Sequence, residues 1–123
     1  MIPIIYYAHS MTDYNTEKEQ HELELLRNHF PYGMIFNPNC CYIQSLRDPM
    51  KGCFEILHDL YVRGVAFSTQ DEIYLSSGVF AEARLAQKRL LQLFRIFPDR
   101  IEQYNGVFRL VKESKSGHWA RVI

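Results

Sequence analysis

The chain has 123 residues, of which 47% are apolar and 14% aromatic, a composition that fits one packed domain and argues against wholesale disorder. Lys and Arg together number 14, as do Asp and Glu, so the balanced charge argues against binding of nucleic-acid polymers through phosphate neutralisation. No apolar run approaches the roughly 20 residues of a membrane span, and we expect no membrane partner.

The N-terminal part of the chain is predicted to contain one strand and one helix. The apolar run Ile2–Ala8 is rich in isoleucine and tyrosine, which predicts a strand buried on both faces. A polar stretch, His9–Asn15, follows it. Thr16 and Glu19 then have the spacing of a capping box, which predicts a helix that ends at Pro31.

The middle of the chain repeats this order. Gly33–Asn37 predicts a short second strand, and residues 39–47 predict a loop in which a helical turn is left open. Asp48 followed by Pro49 is typical of an N-cap and the first helical position, so the pair predicts the start of a second helix. Four side chains mark the predicted buried side of that helix: Cys53, Ile56, Leu57 and Leu60.

A third unit of strand, loop and helix follows. Gly64–Ser68 predicts a strand, Thr69–Ser77 a polar loop, and Gly78–Arg89 a helix. Leu91–Phe97 predicts a fourth strand. The apolar positions of the helix recur on one face, and they are Val79, Ala83, Ala86 and Leu90.

The last quarter of the chain predicts a β-hairpin. Arg100–Tyr104 and Val107–Val111 flank Asn105-Gly106, a dipeptide that favours a two-residue hairpin turn. We therefore expect these two segments to pair with each other. The tail from Lys112 onward begins as a polar stretch.

Strands that alternate with helices predict βαβ units and a parallel sheet with helices on both faces. We therefore expect an α/β protein with a small, doubly wound, mostly parallel sheet and a C-terminal β-hairpin. We expect a single domain over residues 1–123, with a parallel βα core over 1–97 and the hairpin and tail over 98–123. Ligands of such sheets lie at the carboxyl ends of the strands, so His9–Asn15 and Thr69–Ser77 are the expected binding loops.

The second of these loops ends on residues that are suited to bind an anion. Ser76, Ser77 and Gly78 stand at the predicted start of a helix, where hydroxyls and unpaired amides favour a phosphate. Glu82 follows Val79 by three residues, so its side chain is predicted to point towards the sheet. Two interpretations of Glu82 stay open: a residue that complements the helix dipole, or a carboxylate nucleophile of glycosidic bond cleavage.

Three segments together resemble one family. They are Ile4-Ile5-Tyr6-Tyr7-Ala8-His9-Ser10, Asn37-Pro38 after the second strand, and Ser76-x-Gly78-Val79-x-x-Glu82-x-x-x-Ala86. Over roughly residues 2–96 the chain resembles the nucleoside 2-deoxyribosyltransferase-like superfamily, which includes the deoxynucleoside 5′-monophosphate N-glycosidases. The resemblance implies a flavodoxin-like or Rossmann-like sheet.

The resemblance also implies an activity, namely cleavage or exchange of the N-glycosidic bond of 2-deoxynucleosides or their 5′-monophosphates. The glutamate that matches Glu82 attacks the anomeric carbon, and the tyrosine that matches Tyr6 positions that carboxylate. The serine that matches Ser76 contacts a 5′-phosphate, and Ser10 matches another polar position of the sugar or phosphate loop. A homodimer or a larger homo-oligomer is implied as well.

Two positions depart from the family pattern, and the first is Ala8-His9, where the family often has a glycine in the loop after the first strand. Arg63-Gly64 stands where the family often has an aspartate that helps to hold the leaving base. Asp71 or Glu72 in the following loop is the candidate replacement, and it would act as general acid only with a raised pKa. A solvated acidic loop is the other interpretation of these two residues.

The remaining predictions concern His9, metal and cofactor binding, and localisation. His9 follows the first strand at the ligand edge, either as a substrate contact or as a structural side chain. The five histidines and three cysteines show no spacing typical of a metal site or a disulfide framework, so we expect no metal and no cofactor. The first residues lack the charged region and cleavage site of a signal peptide, so we expect a cytoplasmic protein.

Three functional hypotheses stay open. The first is cleavage or exchange of an N-glycosidic bond with Glu82 as nucleophile, a carboxyl that is charged at neutral pH if its pKa has the ordinary value of about 4.3. The second is a nucleotide-binding module without catalysis, a sensor or a sequestering protein. The third is an interaction domain whose hairpin adds a strand to a partner sheet.

Overall fold

The computed structural model describes residues 2–111 and 117–123. A single 3₁₀ turn, Met11–Asp13, follows the first strand. The helices and strands in chain order are β1 (Ile4–Ala8), α1 (Glu17–His29), β2 (Met34–Phe36), α2 (Cys41–Gln44), α3 (Pro49–Leu57), β3 (Val62–Phe67), β4 (Tyr74–Ser76), α4 (Ser77–Lys88), β5 (Gln92–Ile96), β6 (Ile101–Gln103), β7 (Phe108–Leu110) and β8 (His118–Val122).

The central sheet has five strands in the order β2-β1-β3-β5-β6. The first four are parallel, and β6 is antiparallel to β5 at the edge. Helix α1 packs on one face of this sheet, and α3 and α4 pack on the other. The predicted fold class, a doubly wound and mostly parallel α/β sheet with antiparallel strands near the C-terminus, is therefore confirmed.

Strand β1 is the middle of this arrangement and is buried on both faces. Tyr6 and Ala8 belong to the apolar core under α3 and α4, whereas Ile5 and Tyr7 belong to the core under α1. Because β2 lies on one side of β1 and β3 on the other, the direction of strand order reverses there. The carboxyl end of β1, followed by His9, is thus the point at which an open α/β sheet forms its crevice.

Two predicted helix caps are present. The Thr16 hydroxyl oxygen accepts from the Glu19 backbone N–H at 3.3 Å, and the Asp48 carboxylate accepts from the Lys51 N–H at 3.2 Å. The Glu19 side chain reaches back to the backbone N–H of Asn15 at 3.1 Å, one residue before the position that a capping box predicts. Both helices therefore begin where the sequence places them.

A second sheet, with the order β4-β8-β7, was not predicted. The segment expected to be a polar loop up to Ser77 becomes β4 over Tyr74–Ser76, where Leu75 is fully buried. It pairs antiparallel with β8, so that Leu75 lies opposite Ala120. This partner is distant in sequence, and the local pattern of residues 69–77 contains no sign of it.

The predicted hairpin around Asn105-Gly106 is wrong. Strand β6 pairs with β5 and β7 pairs with β8, so the two predicted arms belong to different sheets. The Tyr104 hydroxyl donates to the Val107 carbonyl at 2.6 Å, so its side chain bridges the connection. A Cβ on Gly106 would lie only 2.7 Å from that hydroxyl oxygen, so the glycine is needed for close approach of the ring and not for a hairpin turn.

Two leucines predicted to lie on buried helix faces are exposed. Leu60 is 80% exposed, because α3 ends at Leu57 and the Asp59 carboxylate accepts from the Tyr61 N–H in the turn that follows. Leu90 is 91% exposed and has a φ of 58°, since α4 ends at Lys88. Both leucines match the helical spacing of the apolar residues before them, but each lies after the last residue of its helix.

The cysteines, the segment over residues 39–47, the C-terminal tail and the length of the helices remain to be described. Cys53 is buried, Cys40 half-buried and Cys41 exposed, and all three thiols are free. The turn left open over residues 39–47 is the short helix α2. The predicted polar stretch from Lys112 falls mainly on residues 112–116, which lie outside the described residues. Within the described ranges, no helix is long and apolar enough to cross a bilayer.

Candidate functional site

A cleft of about 730 Å³ opens at the carboxyl end of β1, between the loop after that strand, α3 and the first turns of α4. Five of the residues predicted to form a site line this cleft: His9, Ser10, Ser76, Gly78 and Glu82. Tyr6 lies directly behind them and is fully buried. The structure thus brings all of the candidate residues together except Asp71 and Glu72.

Glu82 points inward, as its spacing from Val79 predicts. The residue is only 4% exposed, and the Tyr6 hydroxyl donates a hydrogen bond to its Oε2. Tyr6 is held in the central strand of the sheet, between β2 and β3. The bond between the two side chains therefore fixes the carboxyl group against a rigid element at the inner end of the cleft.

Burial changes the protonation state that the sequence predicts for Glu82. Removal from water raises the pKa of this carboxyl to about 8, and the hydrogen bond from Tyr6 lowers it by less. At pH 7 the group is therefore mostly neutral, contrary to the expectation of a charged carboxylate. Burial first, and then the proximity of Glu82, raise the pKa of Tyr6 far above its ordinary range, so its phenol remains an O–H donor.

Ser76 is the N-cap of α4 and retains a free donor. Its hydroxyl oxygen accepts from the Val79 N–H at 3.4 Å, which leaves the hydroxyl proton for another partner. The backbone N–H groups of Ser77 and Gly78 are in the first turn of a 12-residue helix and have no partner within it. A Cβ on Gly78 would make only ordinary contact, at 3.7 Å, with Met50 Sδ, so the contribution of Gly78 is its amide.

The side chain of His9 is already occupied by protein partners. Its Nε2 lies 2.7 Å from Glu19 Oε2, and its Nδ1 lies 3.3 Å from the Tyr7 carbonyl oxygen. Burial raises the pKa of Glu19, but hydrogen bonds from His9, the Asn15 amide and Asn39 outweigh it and leave the pKa lowered. With no ring nitrogen free, His9 borders the cleft as a structural side chain, one of the two interpretations left open.

Ser10 likewise organises the loop. Its hydroxyl lies 2.9 Å from the Thr12 Oγ1 and accepts from the Thr12 N–H at 3.3 Å, so it caps the 3₁₀ turn that follows. Its side chain is half-buried at the mouth of the cleft. A ligand would meet the hydroxyl only in competition with this turn.

The structure does not bring Asp71 or Glu72 to Glu82. Both line a separate cavity of about 610 Å³, to which α1 contributes Glu22. The backbone of Gln70 exchanges two hydrogen bonds with that of Tyr74, which places Asp71 near the tip of a tight turn. There its carboxylate is exposed and lies 3.3 Å from His118 Nε2, so it is not available as the general acid of the cleft.

Several cleft residues were not predicted as parts of a site, among them Asp48, Met50 and Cys53. Two of them carried a signal of another kind, because Asp48 was predicted as an N-cap and Cys53 as a buried helix position. Burial raises the pKa of Cys53, so its sulfur is a thiol and not a thiolate nucleophile. Among the described residues that line the cleft, Asp48 is the one carboxyl group besides Glu82.

Metal binding and similarity to known proteins are the remaining points that concern this cleft. Over residues 2–111 and 117–123, no group of three His, Cys, Asp or Glu side chains is arranged to hold a metal ion. Comparison of the chain with protein-family models, with curated proteins and with solved structures finds no match. The resemblance to the deoxyribosyltransferase-like superfamily therefore stays a prediction.

Proposed function

We propose that the cleft binds a nucleoside or a nucleotide and that Glu82 cleaves or exchanges the N-glycosidic bond of a 2-deoxynucleoside or its 5′-monophosphate. The observation that carries the proposal is the buried Glu82 carboxyl, held by Tyr6 beside the first turn of α4. A carboxyl and an anion-binding helix start in one cleft match the two reactive parts of a nucleotide, its anomeric carbon and its phosphate.

The proposed reaction proceeds through a covalent intermediate. A Glu82 oxygen attacks the anomeric carbon and forms an ester bond, while the C–N bond breaks and its electron pair leaves with the base. The base takes a proton from solvent that enters the cleft, because Asp48, the other carboxyl group that lines it, accepts the Lys51 N–H as the N-cap of α3. Water, or a second base, then releases the sugar. Tyr6 acts as the positioning residue throughout, because its hydroxyl donates a hydrogen bond to Glu82.

Specific observations favour a second candidate, a nucleotide-binding module without catalysis. The pKa of Glu82 is raised to about 8, which keeps most of the carboxyl protonated at pH 7, whereas a nucleophile must be ionised. Asp71 and Glu72, the expected acids, lie outside the cleft. A sensor or sequestering protein needs the cleft and the start of α4, where a phosphate can bind. It needs neither an ionised Glu82 carboxylate nor a general acid.

The experiment that separates the two uses the four deoxynucleoside 5′-monophosphates. Release of free base is followed by chromatography, and binding is followed by thermal shift. For the enzyme we expect base release that falls at least about 100-fold in Glu82→Gln. Glu22→Gln is the matched control, since Glu22 is also a buried glutamate bonded to a tyrosine but belongs to α1, on the other face of the sheet. Stabilisation without base release supports the binding module. The absence of both stabilisation and base release contradicts both candidate functions.

Self-association is part of the proposal. Several large apolar side chains are exposed, among them Tyr32 at 89%, Leu60 at 80% and Ile123 at 63%. Exposed apolar surface of this kind favours association into symmetric dimers or larger assemblies. Light scattering after size-exclusion chromatography tests it, and a monomer mass at high micromolar concentration contradicts it.

A further inference from the structure

A second groove, of about 520 Å³, continues from the cleft along α4. The two spaces share Phe54, Ser77 and Ala81. From Ser77 the groove follows Ala81, Arg84 and Lys88, which recur at intervals of four, three and four residues and so form one stripe of the helix. The groove therefore begins at the helix start where the proposed function places a phosphate, and it leads away from Glu82.

The side chains of this groove define the chemistry of its occupant. Two are cations, Arg84 and Lys88, His58 lines the groove as well, and no acidic residue is found among the described residues that line it. Three are aromatic, Phe54, Phe80 and Trp119. Cations together with one exposed aromatic ring, that of Trp119, fit a ligand that carries both negative charge and a planar ring.

Trp119 is the aromatic side chain with the largest open surface in the groove. It lies in β8 and is 49% exposed, although a tryptophan is large and apolar enough to be mostly buried in an ordinary core. Leu110 of β7, 63% exposed, lines the same space. This open surface is sufficient for a flat ring to stack on it.

Resting on the proposed function, we propose that the natural ligand is larger than a mononucleotide: a pyrophosphate-linked dinucleotide whose first nucleoside occupies the cleft. Its phosphates lie at Ser77 and extend towards Arg84, and its second ring stacks on Trp119. Arg84 stands seven residues beyond Ser77, roughly 10 Å along the helix axis. A single phosphate at Ser77 leaves most of this groove empty, whereas a second phosphate with its nucleoside fills it.

Trp119 makes the proposal directly measurable, because the chain contains one tryptophan. Each deoxynucleoside 5′-monophosphate, and its conjugate with adenosine through a pyrophosphate, is titrated into the Glu82→Gln variant, which prevents consumption of the ligand. We expect a conjugate to quench the Trp119 fluorescence and to bind at least about tenfold more tightly than its parent monophosphate. The monophosphate leaves the fluorescence unchanged.

Variants assign the gain in affinity to the groove. In calorimetric titrations, Trp119→Ala and Arg84→Glu remove the gain and leave the affinity for the monophosphate unchanged. Arg84 is exposed, so its substitution does not depend on refolding of the core. Arg27→Glu is the matched control for charge, since Arg27 is exposed on α1, on the opposite face of the sheet, and it retains the full gain.

The possible results separate this inference from the proposed function. If a monophosphate binds but its conjugate neither quenches Trp119 nor binds more tightly, the inference is overturned and the proposed function stands. If the gain survives both Trp119→Ala and Arg84→Glu, the inference is overturned as well. If no monophosphate and no conjugate binds, both are overturned. Binding of a conjugate alone, with quenching, supports the inference.

Discussion

Tyr6 and Tyr7 are neighbours in β1, yet each hydroxyl donates to a buried glutamate on its own face of the sheet. Tyr6 bonds Glu82 of α4, and Tyr7 bonds Glu22 of α1 at 2.6 Å. Glu22 also accepts from the Ser68 hydroxyl at 2.8 Å. Alternation along a strand thus produces two chemically similar pairs, and only that of Glu82 lies in the cleft beside a helix start. The Glu22 pair is therefore an internal control for every variant of the Glu82 pair.

The pH dependence of base release follows from the state of Glu82. Its pKa of about 8 in the free protein means that the ionised fraction, and with it kcat/KM, rises about tenfold per pH unit below 8 and then levels off. Initial rates from pH 5.5 to 9.5 measure the inflection. A rate that instead falls as the pH rises through 8 contradicts the nucleophile and assigns Glu82 as an acid.

Removal of the Tyr6 hydroxyl shifts this inflection. The hydrogen bond from Tyr6 lowers the pKa of Glu82, so Tyr6→Phe raises that pKa further, moves the inflection to higher pH and lowers the rate at pH 7. Tyr7→Phe removes an equally buried hydroxyl on the other face and leaves the inflection where it was. An unchanged inflection in Tyr6→Phe would show that this bond does not tune the carboxyl.

The raised pKa of Glu82 also predicts how stability depends on pH. Between about pH 4.3 and 8 the unfolded chain has released this proton and the folded protein has retained it, so the free energy of unfolding falls as the pH rises. One such group contributes a slope of at most about 1.4 kcal/mol per pH unit. We expect Glu82→Gln to lose this slope, because glutamine does not titrate.

Urea denaturation of the wild type and of Glu82→Gln at pH 5, 6 and 7 measures the difference. The variant gains stability relative to the wild type as the pH increases, and the m values stay equal. Glu22→Gln is informative as well, since burial raises the pKa of Glu22 and predicts a difference of the same sign. Parallel curves for wild type and Glu82→Gln would mean that Glu82 is ionised in the folded protein.

Comparison of one serine cap with one threonine cap distinguishes an effect on stability from an effect on ligand binding. Ser76 caps α4 and Thr16 caps α1 by the same bond to a backbone N–H three residues on. Ser76→Ala and Thr16→Ala are each expected to lower the free energy of unfolding by about 1 kcal/mol. Only Ser76→Ala should weaken binding of a 5′-monophosphate, measured by calorimetry. Equal affinity losses in both variants would reduce the role of Ser76 to that of a cap.

The features that the sequence predicted correctly are those set by neighbours within a few residues. The caps at Thr16 and Asp48 depend on a side chain and an amide three positions apart. The inward direction of Glu82 depends on its place between Val79 and Ala86, which are both buried on α4. The order of strands and helices followed from the spacing of apolar residues within each short segment, so the doubly wound sheet was predictable.

The features that the sequence did not predict depend on partners far along the chain. Leu75 is buried because β4 pairs with β8, more than forty residues away. Asp71 leaves the cleft because Asp71 and Glu72, with φ of 47° and 71°, form the tight turn between Gln70 and Tyr74. Neither residue is a glycine, so composition gave no sign of this left-handed backbone. The protonation of Glu82 was likewise set by burial, which a local pattern does not report.

The pair of His9 and Glu19 is expected to stabilise the wall of the cleft. Glu19 is 2% exposed and also accepts from Asn15 and Asn39, so it joins α1 to the loops after β1 and β2. Glu19→Ala removes the acceptor shared by the His9 ring nitrogen, the Asn15 N–H and the Asn39 amide, which we expect to cost at least about 1–3 kcal/mol. Glu17→Ala, in the same helical turn but exposed, is the control and should change stability by less than about 0.5 kcal/mol.

A double-mutant cycle tests whether this cost comes from unpaired polar groups. His9→Phe leaves the buried Glu19 without its donor from His9, and Glu19→Leu leaves the buried His9 Nε2 without a partner, whereas the double variant removes both polar groups of the pair at once. We therefore expect the double variant to be less destabilised, in urea denaturation, than the sum of the two single variants. Additive losses would mean that the 2.7 Å contact between His9 Nε2 and Glu19 Oε2 contributes no coupling and that packing alone accounts for the loss of stability.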